Sequence, residues 1–110
     1  MINIKNYFDY IINHNRRDVS IDICHNILIF GLLTSLKPKE VLEIGIGAGY
    51  TTMSLFNAMK YNNNGSNLTC VDNWYDWGGQ RPPVASEIEQ LGVKIIEMDE
   101  KDFVEKSPIN

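Results

Sequence analysis

The stretch Glu40-Val41-Leu42-Glu43-Ile44-Gly45-Ile46-Gly47-Ala48-Gly49-Tyr50-Thr51-Thr52 decides the fold. Lys37-Pro38-Lys39 ends whatever precedes it, and Val41, Leu42 and Ile44 form a short apolar run that reads as a buried parallel strand. Three glycines at alternate positions follow, and a helical pattern begins after them. Strand, glycine turn and helix in that order make a cradle for a small anionic or polar ligand. Glycine lets the backbone turn with φ > 0 and lets a ligand approach with no Cβ in the way. The new helix turns its unpaired N–H groups toward the same place. The spacing separates this cradle from its relatives. The dinucleotide fingerprint G-x-G-x-x-G places its third glycine three residues after the second. Counted from Gly45 and Gly47, that place holds Tyr50, a bulky residue where close helix–strand packing is required. A phosphate loop is disfavoured because no Gly-Lys-Ser/Thr follows the glycines.

The chain has 110 residues, enough for one domain at most. With 44% hydrophobic and 22% charged residues it has the composition of an ordinary soluble globular protein. A net charge of -4 argues against a phosphate-backbone partner, which calls for a basic patch, so no nucleic acid is expected. Cys24 and Cys70 have no C-x-x-C partner, so neither a metal site nor a disulfide framework is indicated and both read as reduced, buried thiols. The longest apolar run, Ile27 to Leu33, is far too short to span a bilayer, and no secretory h-region opens the chain. The expectation is a cytoplasmic protein without membrane contact.

Upstream of the glycines, Ile4, Tyr7, Phe8, Ile11 and Ile12 form the stripe of an amphipathic helix, closed by the polar run Asn13 to Arg17. His14, Arg16 and Arg17 read as solvated loop residues. Ser20 is a good N-cap for a second helix reaching about Leu36. That helix has Ile21, Cys24, Leu28 and Leu32 on one face and Ile23, Ile27 and Phe30 on another, so it is expected to be covered twice, with close packing at Gly31 and His25 on its rim. Downstream, Thr51 or Thr52 is expected to cap a helix carrying Leu55, Phe56 and Met59 inward. Tyr61 to Asn67 reads as a turn-rich loop, Leu68 to Val71 as the second strand, and Asp72 stands at its carboxyl end.

Ligands of doubly wound sheets sit at the carboxyl ends of strands, and an acid roughly twenty residues past the glycines can accept hydrogen bonds from both ribose hydroxyls. The bland reading of Asp72 is a turn aspartate. The loop from Asn73 to Pro83 holds Trp74, Tyr75 and Trp77, and is longer than the usual βα connection. Trp74 either stacks on a base or joins a cluster that pins the loop; for Tyr75 and Trp77 the cluster is favoured. Ala85, Ile88 and Leu91 then give a short helix stopped by Gly92, Val93 to Glu97 a third strand, and Asp99 an N-cap for the residues after it.

The run "VLEIGIGAGYTT", with acidic Glu43, three alternate glycines and Asp72 ending the next strand, resembles the first two motifs of class I S-adenosylmethionine-dependent methyltransferases. The resemblance covers the amino-terminal half of that fold. It implies S-adenosyl-L-methionine as cofactor, with Glu43 helping to hold the amino group of its methionine portion and Gly45, Ile46, Gly47 and Gly49 making room for that portion and the ribose. Tyr50 and Thr51 would start the helix beneath it. Asp72, with Asn73 and Trp74 beside it, would hold the ribose and flank the adenine, which Asp99 and Glu100 would contact. Arg81-Pro82-Pro83-Val84 lacks both the leading amide or acid and the aromatic of the Pro-Pro motif of nucleic-acid and amine methyltransferases, and follows the wrong strand.

The expected fold class is therefore α/β: a Rossmann-like parallel sheet with flanking helices, incomplete at three strands in the order 3-2-1 and preceded by two helices. Residues 1–36 form a leading helical segment and 37–110 the cofactor-binding βαβαβ half. A bare strand edge at the first strand invites a second chain to pair there, and the sequence reads as a fragment. The acceptor is expected to be a small molecule, and no catalytic base or metal ligand can be named. Two alternatives stay open: an NAD-type dinucleotide-binding module, and a catalytically inactive methyltransferase-like interaction module.

Overall fold

The computed structural model of the chain describes residues 23–75 and 78–107. The expected first helix, His14, Arg16, Arg17, Ser20, Ile21 and Trp77 lie outside the described residues. Among the described residues seven elements follow one another: α1 Ile23–Leu36, β1 Glu40–Ile44, α2 Tyr50–Asn62, β2 Asn67–Val71, α3 Pro83–Gln90, β3 Lys94–Ile96 and α4 Glu100–Lys106. The three strands make one parallel sheet with β2 in the middle, which is the expected order. Glu43 pairs with Cys70 and Cys70 with Ile95, so these residues share one face of the sheet. Backbone bonds carry the pairing past the strand ends: Gly45 N–H donates to Val71 O at 2.8 Å and Asp72 N–H to Ile96 O at 3.2 Å. The glycine turn and Asp72 are thereby fixed side by side at the carboxyl edge.

The core lies between the sheet and the two crossover helices. Leu55, Ala58 and Met59 of α2, Ala85 and Ile88 of α3, and Leu68 and Cys70 of β2 are among its buried members, with Phe56 packed against it half-buried. α3 opens with Pro83 in its first turn, where a missing N–H does no harm, and stops before Gly92, whose φ is 95°.

Several expectations need correction. β1 is not buried on both faces: Leu42 and Ile44 are 41% and 42% exposed, and Glu43 between them is buried. Side chains alternate along a strand, and only the Glu43 face is covered by α2. Among the described residues α1 is covered on one side, by α2, and the helix expected before it lies outside them. α1 packs on α2 through Asn26, Phe30 and Leu33, while Leu28, Leu32 and Cys24 face outward. An Asn at the centre of the buried stripe is possible because Ser54 Oγ–H donates to Asn26 Oδ1 at 2.9 Å across the helix pair. A Cβ on Gly31 would meet nothing within 4 Å among the described residues, so none of them packs closely there. Cys24 is exposed and Cys70 buried, where two buried thiols were expected. His25 is exposed, as its place on the rim required.

Candidate functional site

The site is assembled around two carboxylates that the sheet register brings to the glycine turn. Asp72 reaches across from the end of β2. Its Oδ2 accepts the N–H of Ile46 at 2.8 Å and that of Gly47 at 3.0 Å, and its Oδ1 accepts the N–H of Trp74 at 2.7 Å. Hydrogen bonds to an ionised acceptor are about twice as strong as neutral ones. Three of them make Asp72 the clasp that shapes the turn, beyond a plain turn aspartate. Gly47 has φ 55° and Gly49 φ 88°, the left-handed region glycine enters without cost. Gly49 is also the residue where α2 meets α3: a Cβ there would lie 3.0 Å from Val84 Cγ2 and 3.2 Å from Ile88 Cδ1.

Neither Thr51 nor Thr52 caps α2. Gly49 is the N-cap, and no side chain makes a capping hydrogen bond there. Thr52 instead donates its hydroxyl to Glu43 Oε1 in the buried layer beneath the turn. Glu43 is 7% exposed, and burial pushes its carboxyl up to about 7, with the negative charge of Asp72 adding to the rise and the Thr52 and Cys70 contacts opposing it. The Cys70 thiol adjoins the carboxyl, yet Glu43 Oε2 is buried with no partner at hydrogen-bond distance. Burial, and then the neighbouring Glu43, hold that thiol far above the usual thiol range, so Cys70 is an inert SH group.

Trp74 is 2% exposed, with φ 51°, and belongs to the main core cluster. Its indole N–H donates to Gly47 O at 3.3 Å, and the Arg81 guanidinium lies 6.0 Å from its ring centroid. Arg81 is itself held by Glu97 at 2.9 Å and by Glu89. Tyr75 is 81% exposed and is not part of the core cluster of the described residues. Asn73 Oδ1 accepts the Tyr75 N–H at 3.0 Å and so orders the turn after Asp72. Asp99 is exposed and caps α4, its Oδ1 accepting the N–H of Lys101 at 2.9 Å and of Asp102 at 3.4 Å. Glu100 is the first residue of α4 and is exposed. Glu43, the glycines, Asp72 and Trp74 thus converge directly, whereas Asp99 and Glu100 stand one strand away, at the end of β3.

Residue-by-residue reading of the sequence missed Thr52, Cys70 and Arg81. Cys70 was accessible in principle, because aligning the two strands pairs it with Glu43. Thr52 and Arg81 carry no comparable signal, since their roles depend on how α2 and the loop after Asp72 fold back.

A separate cavity of about 340 Å³ lies at the opposite end of the strands, lined by Phe56, Met59, Lys60, Leu68, Leu91 and Lys94 among others. α2 and α3 both end there, and the negative ends of helix dipoles account for a lysine such as Lys60 in a last turn. The carboxyl edge, with its clasped turn and unsatisfied acid, is the better candidate. Among the described residues no group of three or more His, Cys, Asp or Glu is placed to hold a metal ion, and no helix is long and apolar enough to cross a membrane.

No protein-family model matches the sequence, and no curated protein matches it. Solved structures do. The O-methyltransferase TomG from Streptomyces achromogenes, involved in tomaymycin synthesis and solved in complex with SAM, superposes with a TM-score of 0.64 at 16% identity, over 97% of this chain and 48% of its own. The Podospora anserina methyltransferase PaMTH1, solved with SAH bound, gives 0.65 at 13% identity, over 96% of this chain and 45% of its own. The chain therefore has a partial Rossmann-like methyltransferase fold of class I and spans about half the length of the structures it matches.

Proposed function

We propose that the chain is the S-adenosyl-L-methionine-binding part of a class I methyltransferase, acting on a small-molecule acceptor. The observation that carries this reading is the buried, unpartnered Oε2 of Glu43 beneath a glycine turn clasped by Asp72. A buried acceptor without a donor costs about 1–3 kcal/mol, and an ammonium group arriving at the turn would supply the donor and favour the ionised acid. The residues thus fit the cofactor's amino-acid portion. Asp72 and the backbone of Ile46 and Gly47 would hold the ribose side, and Asp99 and Glu100 the adenine side.

When bound, the cofactor supplies an electrophilic methyl carbon attached to a sulfonium. The chain's own part is positional. Asp72 fixes the turn, Gly45, Gly47 and Gly49 keep its surface free of side chains, and α2 holds Glu43 through Thr52. Holding donor and acceptor in line is the main source of rate in such a transfer. Residues 37–110 form the binding half in this reading and 1–36 a leading segment. The outward edge of β1, the outermost strand, is where a further strand or a second chain would pair. A cytoplasmic location agrees with the reduced, buried Cys70 thiol.

Calorimetric titration with S-adenosylhomocysteine and, separately, with NAD tests the reading. Heat from the first supports it; heat from NAD alone overturns it in favour of a dinucleotide module. Methyl transfer assayed on the same chain separates an active part from an inactive interaction module.

A further inference from the structure

We infer that Trp74 is a built-in occupant of the glycine cradle, latched there by Asp72, Gly47 and Arg81, and that it sets the affinity of the cradle because an adenosyl ligand must displace it. The inference rests on the cofactor reading above. A bulky residue at φ 51° is a backbone outlier, and such a conformation persists only where its surroundings over-determine it. Here three interactions do so: the Trp74 N–H on Asp72 Oδ1, the indole N–H on Gly47 O, and the Arg81 cation over the ring.

Two of those interactions fall on the cradle itself: the indole takes the Gly47 carbonyl and the Trp74 N–H shares Asp72 Oδ1. Gly47 presents its carbonyl to the indole and its N–H to Asp72, and Asp72 has committed both oxygens to backbone N–H groups. A stacking platform must offer a ring face to its ligand, and a ring that is 2% exposed offers none. Arg81 is anchored by Glu97 and Glu89, so the cation over the ring belongs to the scaffold and holds the latch shut. The strained backbone at Trp74 favours release and partly offsets the hydrogen bonds broken on opening. A site that is competent in only one molecule in ten binds about tenfold more weakly than the open site would.

The latch and a stacking role for Trp74 predict opposite signs. In titrations with S-adenosylhomocysteine, Trp74→Ala binds about tenfold tighter than the wild type if the latch is right. Arg81→Ala, a change at an exposed position, shifts affinity the same way by a smaller factor. Weaker binding by both variants, with the wild type still binding, overturns the latch and leaves the cofactor reading intact. No binding by wild type or variants removes both. Should Trp74→Ala fail to fold, Trp77→Phe leaves Trp74 as the sole tryptophan. Its emission then moves to the red and saturates with S-adenosylhomocysteine as the ring is expelled; an unchanged or blue-shifted emission under saturating ligand overturns the proposal.

Discussion

Replacing Glu43 with glutamine isolates one buried titration from the rest of the molecule. Glu43 is held beneath the glycine turn by the Thr52 hydroxyl, with Cys70 and Asp72 as its titratable neighbours, and its carboxyl sits at about 7 against an ordinary 4.5. The folded state therefore holds a proton that the unfolded chain has released between those two pH values. Stability falls as pH rises wherever the native state binds more protons. The acid's contribution is fully present below pH 4.5, declines across the window from 4.5 to about 7, and is lost above it. At 1.36 kcal/mol per pH unit, the gap corresponds to about 3 kcal/mol at pH 8. Glutamine keeps an acceptor for Thr52 and cannot ionise. Denaturant unfolding of the two proteins from pH 4 to pH 8.5 should give curves that converge at the acid end. Toward pH 8 they should separate by up to about 3 kcal/mol, with Glu43→Gln the more stable. Parallel curves would show that Glu43 ionises normally, and the account of its burial would be wrong. The same proton links to binding: an ammonium beside Oε2 favours the ionised acid, so wild-type affinity for S-adenosylhomocysteine should rise between pH 5.5 and 7.5, with proton release seen as buffer-dependent heat.

Three further outcomes follow from particular side chains. Asp72→Asn turns one acceptor oxygen into a donor facing backbone N–H groups; thermal unfolding should show a loss of at least about 2 kcal/mol, together with at least tenfold weaker binding of S-adenosylhomocysteine by calorimetry. Gly49→Ala forces a Cβ against Val84 and Ile88 at a φ of 88°; about 2 kcal/mol should be lost in chemical denaturation, and relief by shortening Val84 to Ala would localise the clash. Leu42→Glu together with Ile44→Glu should reduce self-association measured by light scattering while leaving the far-ultraviolet circular dichroism unchanged; undiminished association would place the sticky surface elsewhere.

The sequence by itself determined the order of elements and the carboxyl-edge geometry. Apolar runs of four or five residues bounded by Pro, Gly and Asn marked the strands, and the 3.6-residue period marked α2 and α3. Alternate glycines after Glu43 and an acid after Val71 located the cradle, because left-handed backbone and strand-end carboxylates are local requirements written in residue type. Tertiary structure decided what each side chain faces. Glu43 is buried and Leu42 exposed because α2 crosses one face of β1 only, a fact no period-two pattern in five residues can state. Among the described residues the outer stripe of α1 has no neighbour, and a helix apolar on several sides does not say which side its neighbour takes. Trp74 was legible as an aromatic beside the cradle, but its choice between platform and plug rests on Asp72, Gly47 and Arg81, which come together only through the fold.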